Sequence, residues 1–105
     1  MAWFYLLAAG LFEVIWASAM KASEGFTRLT PSVITLVFMI SSFALLAIAM
    51  KTLPLGTAYT VWVGIGAIGA FILGVVLFGE SINLYRIIAV ALIISGVTLL
   101  KVISN

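Results

Sequence analysis

The sequence has no cysteine and no histidine among its 105 residues. The first absence excludes disulfides and thiolate metal sites, and the second removes the commonest general base and metal ligand. Charge is almost as scarce. Charged residues make up 8% of the chain, with three acids against five bases, while 66% is hydrophobic; an ordinary soluble domain carries about a quarter charged residues. A chain with so little to show to water is read as an all-α integral membrane protein. It is not expected to be an enzyme, and no cofactor or metal site is expected from so few reactive side chains. The net charge of +2 comes from bases that stand singly. Nucleic acid or anionic lipid would require a cluster, so no nucleic-acid partner is expected.

What the chain does have is long apolar runs. Four of them make one transmembrane domain over 1–105, with spans expected at about 2–21, 29–50, 54–79 and 84–103. The first closes on Lys21, and the connector "KASEGFTR" leads to a second that carries no charge. "KTLPLG" separates the second from the third: Pro54 suits a first helical turn and Gly56 a loop. After "GESINLYR" comes the fourth, whose uncharged core, Ile87–Leu100, is short. Arg86 and Lys101 can snorkel to the two interfaces and lengthen it. "WFY" at 3–5 and Tyr85 fit interfacial aromatic belts. The first run has no Lys or Arg before it and no small-residue cleavage site after it. It is therefore read as a span and not as a removable signal.

The bases are divided almost evenly across the membrane. With four spans, Lys51 and Lys101 fall on one side and Lys21, Arg28 and Arg86 on the other, so the positive-inside rule gives almost no orientation. Small loops hold few charges, and chance alone is one explanation. The other is dual topology, in which the chain inserts both ways up and two opposed copies form an antiparallel homodimer. Such a pair supplies in trans the inverted symmetry that larger transporters build from internal repeats.

Glu13 stands inside the first run, in "GLFEVIWASAMK". An ionised carboxylate at mid-bilayer costs about 2.5–3.5 kcal/mol on insertion scales, and such residues face a bundle interior or a water-filled cavity. One reading is a protonated glutamic acid that only fastens helices together. The other is a cation and proton site, where the carboxyl gives up a proton to take a cation. Helical spacing puts Gly10 and Trp16 on the face of Glu13, Met39 with Ser42 on the second span, and Tyr59 with Trp62 on the third. Packing would account for the tryptophans, and Ser42 could bond back to its own helix. Tryptophan favours membrane interfaces, however, so Trp16 and Trp62 deep in their spans point to an aromatic-walled cavity for an organic cation.

"GIGAIG" at 64–69 has the G-x-G-x-x-G spacing of a dinucleotide loop but lies inside an apolar span, without the strand that fingerprint needs. Membrane packing is the better reading: Gly66, Ala70 and Gly74 form a small-residue stripe, and Gly64 with Gly66 offers a point where the helix could bend.

Along its whole length the chain resembles the small multidrug resistance transporters: four spans, a lone acid in the first, and "LPLGTAYTVWVGIGA" opening the third. "FEVIWASAMK" and "KTLPLGTAYTVWVGIG" look most like the guanidinium exporter subtype. The resemblance implies an antiparallel homodimer in the bacterial cytoplasmic membrane that exports guanidinium in exchange for protons, with both Glu13 copies in one shared site. It also implies that Trp16, Tyr59 and Trp62 line that site and that Ser42 hydrogen-bonds near Glu13. Val63 departs from the subtype's usual threonine and removes a hydroxyl beside Trp62. Two alternatives stay open: a broad exporter of quaternary ammonium drugs, and a non-transporting membrane interaction subunit.

Overall fold

The computed structural model describes residues 1–103 and contains four helices: α1 (Ala2–Ala22), α2 (Leu29–Ala49), α3 (Leu55–Phe78) and α4 (Leu84–Ile103). Each is long and apolar enough to cross a membrane, and the described residues include no strand. A helix suits this setting because every backbone polar group finds a partner within its own segment. Several hydroxyls on the spans are satisfied the same way. Thr35 donates to the Pro31 carbonyl at 2.8 Å, Ser41 to Val37 at 2.8 Å and Thr98 to Ile94 at 2.8 Å.

The connections are set by local chemistry. At the end of α1, the fully buried Ser23 donates through its hydroxyl to the Met20 carbonyl at 2.6 Å and accepts the Phe26 N–H at 3.0 Å. These bonds hold a left-handed turn in which Glu24, Gly25 and Phe26 all have positive φ, a conformation that costs glycine nothing. α3 is entered through extended Pro54 and left through Gly79 at φ 67°, with the Glu80 N–H donating to the Gly74 carbonyl at 3.1 Å. Pro54 thus precedes the first turn of α3, and Gly56, read from the sequence as a loop residue, lies inside that turn. Asn83 caps α4, its side-chain carbonyl accepting the Arg86 N–H at 2.9 Å.

α1 lies between α2 and α3, and α4 packs on the far side of α3. The core forms where the first three helices meet: Leu6 and Ala9, Leu46 and Ala49, then Ala58, Val61 and Trp62. α4 contributes no buried residue, although the Lys101 ammonium reaches across to lie 4.8 Å from the Trp3 ring centroid. The backbone extends over 42 × 34 × 16 Å.

The glycines of α3 act as seats for neighbouring side chains. A Cβ at Gly64 would overlap Val97 of α4, one at Gly66 would overlap the Glu13 carboxyl, and one at Gly69 would overlap Val14. Gly74 breaks the expected stripe: Glu80 from the α3–α4 connection fills the space over it, not a second helix. Nor does the Gly64–Gly66 pair interrupt α3, which is continuous from Leu55 to Phe78.

Candidate functional site

Glu13 and Trp16 sit one turn apart on α1. Among the described residues, two side-chain atoms are closed off from solvent without a hydrogen-bond partner, Glu13 Oε1 and Trp16 Nε1. One is an acceptor and the other a donor. A buried polar atom left in that state costs about 1–3 kcal/mol, so the chain alone leaves this place unsatisfied.

Around it α2 and α3 contribute rings and one hydroxyl. Ser42, fully buried, donates to the Ala9 carbonyl of α1 at 2.7 Å and accepts the Trp62 Nε1–H at 3.0 Å. That single hydroxyl ties three helices together. It does so instead of bonding back along α2, and it fixes the plane of the Trp62 ring, one turn along α3 from the Gly66 that the Glu13 carboxyl rests on. Phe43, next along α2, meets Trp16 edge-on with centroids 6.3 Å apart and Trp62 at 5.7 Å. Tyr59 follows at 5.5 Å from Trp62. The rings Trp16, Phe43, Trp62 and Tyr59 therefore form a continuous aromatic row beside the acid.

The expected lining residues separate into groups. Trp62 is 6% exposed and locked by Ser42, while Tyr59, 51% exposed, stands at the open end of the row. Met39 is half-buried one turn before the Ser42–Phe43 pair. Gly10 departs from the expectation, because the Ile65 side chain of α3 occupies the space in front of it. It is a crossing point of α1 and α3, where a larger residue would force the helices apart. Val63 is exposed on α3. Gly66 lies directly against the Glu13 carboxyl, and Ala70 lies one turn further along α3. Two participants escaped the sequence reading. Phe43 could have been noticed as the aromatic neighbour of Ser42, whereas Gly69 carried no signal apart from its neighbours' glycines. An open apolar groove of about 450 Å³ between α3 and α4 includes none of the polar groups around Glu13.

A half-buried acid with a neighbouring aromatic row in a four-helix membrane chain narrows the field, and comparison with known proteins decides it. The family model for Small Multidrug Resistance proteins matches residues 1–93. The chain belongs to the small multidrug resistance family. Its similarity within that family is to proteins named guanidinium exporters. The one from Yersinia pseudotuberculosis is 61% identical over 104 residues, which cover 99% of this chain and all (100%) of the relative. That of Escherichia coli K12 is 59% identical over 101 residues, 96% of each chain. The Proteus vulgaris protein is 52% identical over 104 residues, covering 99% of this chain and 100% of its own. As a member of the small multidrug resistance family with four helices able to span, the chain is a multi-pass membrane protein.

Proposed function

We propose that this protein exports guanidinium and small substituted guanidinium ions across the bacterial cytoplasmic membrane in exchange for protons, without covalent chemistry, as an antiparallel homodimer in which Glu13 of both copies serves one site. The observation that carries the reading is the unpartnered pair Glu13 Oε1 and Trp16 Nε1 beside an aromatic row. Guanidinium is planar, permanently charged and bears N–H donors that match a carboxylate two at a time. It supplies donors to Glu13 and flat faces to Trp16, Trp62 and Tyr59. The names of the relatives point to the same ion.

Trp16 argues for the second copy. Guanidinium has donors only, so it leaves the Trp16 Nε1–H without an acceptor; a second carboxylate, brought by a second chain, provides one. α4 supports this too: with no buried residue, it offers a face for the partner to cover. Exchange follows from competition at the two acids. Protons neutralise the carboxylates and release the cation; deprotonation restores the site, and one cavity opens to each side of the membrane in turn.

A quaternary ammonium has no N–H and needs a wider aromatic cage, so the drug-exporter alternative makes an opposite prediction. In reconstituted vesicles, guanidinium and mono-substituted guanidines should move protons and compete with one another. Tetra-alkylated ammonium ions should be carried poorly. The assignment is wrong if those ions are carried well while guanidinium drives no proton movement.

A further inference from the structure

Two glycines of α3 seat a carboxyl. A Cβ at Gly74 would overlap the Glu80 carboxylate, and one at Gly66 would overlap the carboxyl of Glu13 and come within 2.9 Å of its Cγ. Glycine weakens a helix interior relative to alanine, so each position gives up some helix stability for a close approach. At Gly74 the arrangement is complete within the chain. The Glu80 carboxylate accepts from Arg86 Nη2 at 3.1 Å, and the guanidinium carbon of Arg86 lies over the Phe71 ring, 4.7 Å from its centroid. Phe71 stands one turn before Gly74 on α3. The Ser81 carbonyl takes Arg86 Nη1 at 2.6 Å. A carboxylate seated on glycine and a ring one turn away thus hold a guanidinium group, by charge-assisted hydrogen bonding and by the ring face.

Gly66 repeats the carboxyl and the ring. Trp62 stands one turn before it on α3 with its plane fixed by Ser42, and Glu13 Oε1, the atom nearest to where a Cβ would sit, has no hydrogen-bond partner. α1 carries the acid, yet α3 sets where its carboxyl comes to rest. Acid and ring are registered by four residues of one helix, a rise of roughly 6 Å. We infer that Gly66 is a positioning residue of the cation site: having no side chain, it lets the Glu13 carboxyl settle on α3 where carboxylate and Trp62 ring reach the same guanidinium, as Glu80 and Phe71 reach that of Arg86. The inference rests on the guanidinium-export reading above. It gives Gly66 a task apart from those of Gly64 and Gly69, whose spaces take the branched side chains of Val97 and Val14. The task is not that of a hinge either, since α3 runs unbroken through this position.

The test turns on what an added methyl displaces. The Glu13 carboxyl ends a flexible side chain and can swing aside, whereas Val97 branches at Cβ and is stiff. Gly66→Ala should therefore keep the fold and weaken the site. In the purified, assembled protein its thermal midpoint should stay near wild type, while guanidinium affinity at fixed pH, read by titration calorimetry, falls about tenfold or more. Gly64→Ala, set against Val97, should lower the midpoint. Glu13→Asp withdraws the carboxyl by one methylene, so adding Gly66→Ala to it should weaken affinity by no more than about threefold beyond Glu13→Asp alone. Full tenfold losses that add, or a Gly66→Ala affinity within about twofold of wild type, would overturn the inference. So would equal relief of Gly64→Ala by Glu13→Asp. Should Gly66→Ala fail to assemble, assembly of the double variant supports the seat and its failure overturns it. Wild-type protein that binds no guanidinium would sink the export reading and the inference with it; guanidinium binding with additive losses sinks the inference alone.

Discussion

Ser42 shows at the scale of one residue how a membrane interior spends its few polar groups. Its hydroxyl uses both donor and acceptor capacity on groups from other helices, the Ala9 carbonyl and the Trp62 Nε1–H. Ser42→Ala strands the Trp62 Nε1–H, while the Ala9 carbonyl keeps its bond within α1; an unsatisfied buried polar group costs about 1–3 kcal/mol. The thermal midpoint in detergent should fall, and guanidinium affinity with it, as Trp62 is released. Ser41→Ala is the contrast, since Ser41 bonds only back to Val37 on an exposed face, and its melt should stay near wild type. The sequence could single out Ser42 as polar in an apolar span. It could not name the partners, because spacing along one helix says nothing about which carbonyl of another helix comes within reach.

At the scale of elements, α1 and α3 meet along a seam of small residues. Gly10 admits Ile65, Gly66 admits the Glu13 carboxyl and Gly69 admits Val14. Without a hydrophobic drive between helices in lipid, such close approach is what holds them. Gly69→Ala would force its Cβ into Val14 and should destabilise the protein by about 1–3 kcal/mol. Adding Val14→Ala should recover part of that loss in the same unfolding assay, and absence of any recovery would place the strain elsewhere. The four spanning helices were legible because each apolar run is flanked by charge or by a turn. The helix partners were less so. The periodicity that suggested Gly66, Ala70 and Gly74 as one stripe misses Gly69 and includes Gly74, which Glu80 covers. The Glu80–Arg86 pair was illegible for a related reason: six residues apart across a connection, it follows no helical spacing.

At the scale of the whole molecule, balanced charge and the unburied α4 point the same way. Two bases on one side and three on the other give the positive-inside rule almost nothing to act on, and α4, without a buried residue, leaves a face uncovered. Tags at the C-terminus should therefore report on both sides of the membrane. Adding two or three lysines to one set of loops should fix the orientation, and exchange should return only when oppositely fixed versions are co-expressed. A uniformly oriented wild-type population would contradict the antiparallel pair. The aromatic row and the unpartnered acid were legible as candidates from residue types and depth. Their assembly with a second chain rests on what the single chain leaves unsatisfied.

The account stands or falls on Glu13 as the group that trades a proton for the cation, and one measurement meets that directly. Purified protein is reconstituted into vesicles, a pH step is imposed, and guanidinium uptake is followed for wild type and Glu13→Gln side by side. Glutamine keeps the size of the side chain and removes its titration, so the dimer should assemble while uphill uptake driven by the proton gradient is lost. Glu13→Asp should keep exchange with an altered pH profile. Uphill guanidinium transport by Glu13→Gln at near wild-type rate would contradict the account and leave Glu13 as a fastening between helices.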